Sequence, residues 1–340
     1  MTDLPGVTVV MLAFGAEPVL AEAVDAVLGS VGVDVDLVLV DNGGTDGAVD
    51  ALAPRPGLRV LTPERNLGFA GGVNHGAAVA TGEFLGLVNS DAVVAPDALA
   101  KLAAVAARPG VGIASGSIRL ASDPTTMNSA GNPVHVVGLS WAGGLGEPAA
   151  RHGDEVPVAS ASGAGLVLTR RLWERLDGFA EEYFAYHEDV DLSWRTWQAG
   201  LEVRYVPDAV VVHHYEFSRN PLKMFLLEKN RQVFLRTAHG PRLRAAIWLP
   251  RTVLDLAMVV LSVRQGWGAE RREARRWIAE HEEWITARRR WVQEQRTTPD
   301  RDLVHLLTPV LDQRVFPLPP GAGLLQAVLR AYWGVARRFV

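Results

Sequence analysis

The sequence predicts an α/β protein built on a doubly wound, Rossmann-like mixed sheet with a helical C-terminal region. Three observations carry that prediction. Apolar, β-rich runs recur at 7–13 (VTVVMLA), 36–40 (DLVLV) and 84–88 (FLGLV). They are continuous rather than alternating, as strands covered on both faces require. Helix-period segments lie between them on short links, the pattern of crossover connections and a mostly parallel sheet. From about residue 222 the periodicity turns helical and stays so. The 340 residues suffice for one large domain or two ordinary ones. The change of pattern sets the expected boundary, with residues 1–220 in one domain and 221–340 in the other.

The elements follow in order. Helix 16–29 carries Val19, Leu20, Ala23, Val24, Val27 and Leu28 on one face. The second strand ends at Asp41, and the run Asn42-Gly43-Gly44-Thr45-Asp46-Gly47 after it is loop chemistry. A short helix at 46–53, a strand at 58–61 and a helix at 72–80 are expected next. Strand 84–88 ends at Asn89-Ser90-Asp91, and Pro96 opens helix 96–107. Residues 119–160 are rich in Gly, Pro, Ser and Asn with weak periodicity, the mark of a functional loop. Trp141 lies within it. Then come strand 164–169, helix 170–176, helix 187–199 stopped by Gly200, and two strands around Pro207. Beyond these, Pro241, Pro250, Pro299 and Pro309 break the helical region.

Composition excludes several classes. The chain has no Cys, so disulfide scaffolds, Cys-zinc sites, Fe–S clusters and thiol catalysis are out. Asp3 precedes only a short apolar run, unlike an export signal, and a cytoplasmic protein is expected. The net charge of −4 hides an asymmetry. Residues 1–150 hold six basic and fifteen acidic side chains, whereas 220–340 hold 21 basic and eleven acidic. Two regions with different partners follow.

Four groups of residues carry chemistry. Asp41 and Asp91 both stand beyond the carboxyl ends of strands, where such sheets bind ligands. A carboxylate there accepts from a sugar or imide group or binds a divalent cation; it equally ties down a loop. The segment Arg65-Asn66-Leu67-Gly68-Phe69-Ala70-Gly71-Gly72-Val73-Asn74 joins a strand to a helix. Its glycines permit either close approach of a ligand or tight packing of helix on sheet. Glu188, Asp189 and Asp191 crowd the start of a helix, where neighbouring carboxylates raise one another's pKa. Such a cluster supplies a general base or simply favours the helix dipole. His213-His214 closes a strand and offers a metal ligand or a structural hydrogen bond.

Together the segments VTVVMLAFG, LVLVDNGGTDG, RNLGFAGGVNHG, FLGLVNSDAVV, residues 161–214 and the trailing Ser218 resemble the family 2 glycosyltransferases. The resemblance is to the bacterial branch of rhamnosyl- and galactofuranosyl-transferases, and it spans roughly residues 7–218. It implies a GT-A fold and inverting transfer from a nucleotide-diphospho-sugar, dTDP- or UDP-linked, with Mg²⁺ or Mn²⁺. Rhamnose is the first expectation for the sugar. Ala13, Phe14, Asp41, Asn66, Gly71, Asn74, Asn89, Ser90 and Asp91 fall at donor-binding positions, with Asp41 reading the base. Asp91 and His213 are the implied metal ligands, Asp189 the implied catalytic base and Glu188 its neighbour. The sequence departs from the family pattern twice. Asn89 replaces the first acid of the D-x-D motif, and Phe14-Gly15 stands where an aromatic-Asn pair is common.

The resemblance also implies a glycan or polyprenyl-linked acceptor. The stretch 245–263 is the most apolar of the chain but contains Pro250, Arg251 and Asp255. It reads as a buried helix, an in-plane helix on a membrane surface, or a span; two charges disfavour the span. The C-terminal helices are expected to cover the sheet, contact the acceptor, form a homodimer or give peripheral contact with the inner leaflet, and Trp141 in the 119–160 stretch is expected to form part of the acceptor wall or a lid. Basic residues there alternate with Glu and Trp at helical spacing, so nucleic acid is not the expected partner. Two competing readings are a catalytically degenerate GT-A scaffold and a sugar-phosphate nucleotidyltransferase. The first lacks support because the acids and His213 are present. The second lacks the Gly-rich basic loop after the first strand.

Overall fold

A computed structural model of the chain describes residues 4–52, 54–214, 220–316 and 322–340. Asp3 and Ser218 lie outside the described residues. In chain order the elements are β1 (Gly6–Gly15), α1 (Leu20–Leu28), β2 (Asp34–Gly44), β3 (Leu58–Leu61), α2 (Gly68–Ala77), β4 (Phe84–Val88), β5 (Ala92–Val94), α3 (Ala98–Ala106), β6 (Val111–Leu120), β7 (Asp123–Ser129), β8 (Val134–His135), β9 (Val156–Pro157), β10 (Gly165–Thr169), α4 (Arg170–Arg175), α5 (Glu188–Gln198) and β11 (Glu202–His213). The C-terminal elements are α6 (Pro221–Thr237), α7 (Pro241–Ala246), α8 (Trp248–Arg264), α9 (Gly268–Glu280), α10 (Glu282–Gln295), α11 (Asp300–Leu303), β12 (Leu307–Thr308) and α12 (Ala322–Ala336). They form two compact units, one of residues 1–132, 142–196 and 201–216, the other of 133–141, 197–200 and 217–340.

The first unit is built on one sheet in the order β3-β2-β1-β4-β10-β6-β11-β5, with β7 added on β6 and β9 on β11. β1, β2, β3 and β4 pair in parallel, whereas β10 runs antiparallel between β4 and β6. The continuous apolar runs explain the burial: every residue of β4 is buried, and Val9, Met11, Leu37 and Leu39 are inaccessible in the core under α1 and α3. α2 lies close on β1, because a Cβ on Gly72 would meet Leu12 and one on Gly76 would meet Val10. Those glycines are spent on packing.

Three details differ from the expectation. The described residues of 46–53 form a turn, not a helix. Asp46 there accepts from the backbone N–H of Glu17 and Ala48, so side chain-to-backbone bonds replace helical ones. β11 runs through Pro207 as one strand, absorbing it in a register shift between Val206 and Val210. The 119–160 stretch contains β7, β8 and β9 rather than loop alone.

In the second unit β8 pairs with β12, and Trp141 is buried with its ring 5.5 Å from Phe316 and 6.5 Å from His135. Its faces serve packing, so the open acceptor wall expected of it is not seen. α8, apolar as it is, buries only Ser262, which removes the buried-helix reading of 245–263. No described helix is long and apolar enough to cross a membrane.

Candidate active site

The carboxyl ends of β1, β2 and β4 gather most of the sequence-predicted residues of the first unit. Parallel register sets Ala13 opposite Asp41. The Asp41 carboxylate accepts from the N–H of Gly43 and Gly44 at 3.2 and 2.8 Å, leaving its second oxygen for another partner. Phe14 is 58% exposed at the same edge, its ring against Gly43. Asn42 ties this end to the next loop, donating to Asn66 Oδ1 and Gly68 O and accepting from Leu67 N.

Asn66 and Asn74 therefore hold the chain itself together. Asn66 Oδ1 also accepts from Gly68 N. Asn74 donates to Phe179 O and accepts from Phe179 N, closing residues 178–181 onto α2. Gly71 is buried in the first turn of α2, where Ala70 N already donates to Phe184 O.

The second cluster owes its assembly to the β5–β11 ladder. Antiparallel register puts His213 opposite Ala92, and His214 N donates to Asp91 O. Residues 122 positions apart thus meet, with His213 Nε2 3.0 Å from Asp91 Oδ1 and 3.4 Å from Asn89 Nδ2. His213 Nδ1 lies 3.0 Å from Asn128 Oδ1 on β7. If the amide oxygen accepts there, Nδ1 carries the proton and a bare Nε2 faces a carboxylate oxygen. Two acceptors in contact call for a proton or a cation between them. The donor set, one imidazole and one half-buried carboxylate, is of a kind that suits a divalent ion. Among the described residues no cluster of three or more His, Cys, Asp or Glu side chains is of metal-holding form, so these two residues make an open, partial site. His214 is exposed.

Ser90 between them is buried and donates to Glu17 Oε1 at 2.9 Å. Glu17, which sequence reasoning missed, also accepts from Phe14 N at 2.8 Å. Burial, the largest influence, raises its pKa. It joins the first strand's end to the Asn89–Asp91 corner. No sequence signal marks it, because a Glu before Pro18 reads as an ordinary helix-entry residue; Asn128 was missed likewise.

The acidic trio separates into three roles at the start of α5. Asp191 is an internal anchor: it pairs with Arg195 at 2.8 Å and accepts from Tyr183 OH, while Arg195 reaches Leu176 O and Gly178 O. Glu188 is buried, with one carboxylate oxygen lacking a hydrogen-bond partner among the described residues. Desolvation first, then the charges of Asp189 and Asp191, holds its pKa well above the usual carboxylate range. Asp189 is half-buried and accepts from Gly163 N at 3.3 Å and Val190 N at 2.8 Å. Burial pushes its pKa up to about 6 against those two bonds. Ala164, next to Gly163, accepts from Asn89 N, so one short segment links Asp189 to the Asn89–Asp91 corner. The loop before α5 holds Phe184, Tyr186 and His187 at positive φ (63°, 69° and 71°), strain of the sort stored where a site must be aimed.

The sequence matches Glycosyl transferase family 2 over residues 8–162 and Glycosyl transferase family group 2 over residues 86–318. It is 32% identical over 252 residues, 65% of this chain and 81% of the relative, to the N-acetylglucosaminyl-diphospho-decaprenol L-rhamnosyltransferase of Mycobacterium tuberculosis. The chain belongs to the family 2 glycosyltransferases. Its structure resembles a mannosyltransferase of Pyrobaculum calidifontis solved with GDP-Man and Mn²⁺ (TM-score 0.53, 18% identity, 99% of this chain and 87% of that one). It also resembles GalNAc-T7 solved with UDP, GalNAc and Mn²⁺ (TM-score 0.56, 15% identity, 72% of this chain); here it spans about half, 51%, of that longer chain. The fold of this glycosyltransferase is GT-A.

Proposed function

We propose that this glycosyltransferase inverts configuration as it moves a sugar, rhamnose in the first instance, from a dTDP- or UDP-sugar to a hydroxyl of a lipid-linked glycan. The observation that carries the reading is Asp189, a carboxylate half-buried, raised to about 6 and fixed by Gly163 N beside the Asn89–Asp91 corner. A group with that pKa is ionised at neutral pH yet basic enough to take a proton. The mycobacterial relative's name supports the sugar and the diphosphate-lipid acceptor.

The steps balance as a single displacement. The acceptor O–H gives its proton to the Asp189 carboxylate, its oxygen bonds the anomeric carbon, and the bond to the diphosphate breaks with its electron pair. Attack from the face opposite the leaving group inverts the carbon. Asp41 orients the nucleotide and Phe14 offers its ring. Ala13, Asn66, Gly71 and Asn74 shape the donor pocket chiefly through the backbone and loop they fix. Asn89, Ser90 and Asp91 border the diphosphate. Mg²⁺ or Mn²⁺, held by Asp91 and His213, would stabilise charge on the departing diphosphate.

Cytoplasmic work at a membrane surface suits a lipid-linked acceptor. The exposed apolar residues of the second unit support it: Trp248 and Leu256 on α8 are 65% and 64% exposed, Leu324 on α12 is 74%.

A thermal-shift panel of nucleotide diphosphates and nucleotide-sugars, with and without Mn²⁺, tests the reading. A cation-dependent rise with dTDP or UDP, lost in Asp91→Ala, is expected. No shift with any nucleotide in a folded sample would favour the degenerate scaffold.

A further inference from the structure

The second unit contains a basic pocket lined by none of the residues assigned above to sugar transfer. Four helices converge on a cavity of about 420 Å³, and each contributes an arginine: Arg236 from α6, Arg244 from α7, Arg251 from α8 and Arg275 from α9. Gln232, Glu228 and Asp255 also line it. A second cavity of about 550 Å³ shares Arg244 and Arg251 and adds Trp248. Those two arginines therefore stand where the cavities meet.

The carboxylates do not balance this charge. Glu228 and Asp255 are both taken by the buried Arg231, at 3.0 and 2.6 Å, and Glu228 by Arg271 at 3.6 Å as well. Arg251 reaches Asp255 only at 3.7 Å and otherwise donates to Gln232 Oε1. Arg236 pairs with Glu282, away from the cavity. Arg244, half-buried, and Arg275, exposed, make no ion pair or side-chain hydrogen bond among the described residues. Burial first, then the charges of Arg289 and Arg236, pushes Arg244 below its usual pKa, and nearby His239 is pushed down to about 3 by burial and by Arg244, Arg251 and Arg296. Like charges gathered from four separate helices repel one another, and the arrangement is relieved by an anion.

We propose that this pocket is a phosphate-group site, taking a diphosphate or a phosphodiester. Guanidinium groups match phosphate oxygens bidentately, and a cavity of this size admits one or two phosphate groups with water. The phosphate comes from a soluble compound or from the head of a lipid. Trp248 and the exposed apolar face of α8 beside Arg251 favour the lipid source. The site does not rest on the transfer reading, and its test works without donor or acceptor.

The test uses the full chain in EDTA, so that a cation-dependent site elsewhere contributes nothing. One arm titrates inorganic pyrophosphate by calorimetry. The other sediments the protein with phosphatidylcholine vesicles, with and without phosphatidylglycerol. Arg244→Gln and the double variant Arg244→Gln/Arg251→Gln probe the pocket. Arg272→Gln/Arg276→Gln, on exposed positions outside the cavity, makes the same change of charge. Pyrophosphate binding weakened about tenfold or more in the pocket variants and unchanged in the control supports the site with a soluble source. Binding only to phosphatidylglycerol vesicles, with the same pattern among variants, supports it with a lipid source. No binding in either arm overturns it, as does an equal loss in the control. The Arg244 side chain makes no ion pair or hydrogen bond among the described residues, so Arg244→Gln is expected to melt at or above the parent temperature, which keeps misfolding apart from loss of the site.

Discussion

In the helical unit Arg231 is buried with carboxylates of Glu228 and Asp255 placed around it, and it donates to Val137 O as well. In the sheet unit Glu188 is also buried, but one of its oxygens finds no donor among the described residues, and Asp189 beside it is pushed up to about 6. Folding meets the desolvation cost of the first group and leaves that of the second uncompensated. The difference separates structure from chemistry. Asp191 makes the same point within one helix: three residues from Glu188, it is saturated by Arg195 and Tyr183. Paired buried charge fixes the fold. Charge left under-satisfied is what a reaction can use, and by the same reasoning what an anion can fill in the arginine pocket.

The comparison breaks or sharpens most directly on substitution. Arg231→Met takes the nearest cation from two carboxylates, leaving Glu228 with Arg271 and Asp255 with Arg251 at longer range, and is expected to cost about 3–5 kcal/mol in denaturant unfolding. Asp189→Asn is expected to lower kcat by about 10²–10⁴-fold while the melting temperature holds or rises, because the amide needs no desolvation of a charge. A stable Arg231→Met and an unfolded Asp189→Asn would reverse the assignment of the two regions. A smaller effect is expected from Asn128→Leu, which removes the acceptor at His213 Nδ1. The Mn²⁺ concentration for half-maximal activity should rise about 10–100-fold, with donor affinity at saturating cation little changed. An unaltered Mn²⁺ dependence would make Asn128 a packing residue.

How far the sequence could be read depended on whether the signal was local. Strands at 7–13, 36–40 and 84–88 were legible because burial on both faces needs an unbroken apolar run. Asp41 and Asp91 were legible because a strand's end is visible in its pattern. The meeting of Asp91 with His213 depends on a ladder between β5 and β11, and the spacing of 122 residues contains no trace of it. Glu17 and Asn128 are single polar residues whose burial is decided by distant neighbours. The described turn over 46–52 replaces the expected helix because Asp46 bonds the backbone of Glu17 and Ala48, a reach that periodicity does not display. α8 shows the limit from the other side, since an apolar helix reads alike whether its face is covered or open.

The least drastic test leaves the chain intact and varies pH. Burial pushes Asp189 up to about 6, and burial with the charges of Asp189 and Asp191 holds Glu188 well above the usual carboxylate range. The base form of Asp189 is lost as pH falls through about 6, and kcat/KM is expected to drop about tenfold per unit below that point. Stability moves the other way. A carboxyl whose pKa is higher folded than unfolded binds its proton more tightly in the native state, so its destabilising effect is full above about 6 and fades as pH falls toward the ordinary Asp range. Glu188→Gln keeps the shape of that side chain without its charge, and should keep both most of the activity and the limb near 6. If Glu188→Gln abolished turnover and Asp189→Asn spared it, the proton would be going to Glu188, and the orphaned oxygen, not the one bound to Gly163 N, would be the base.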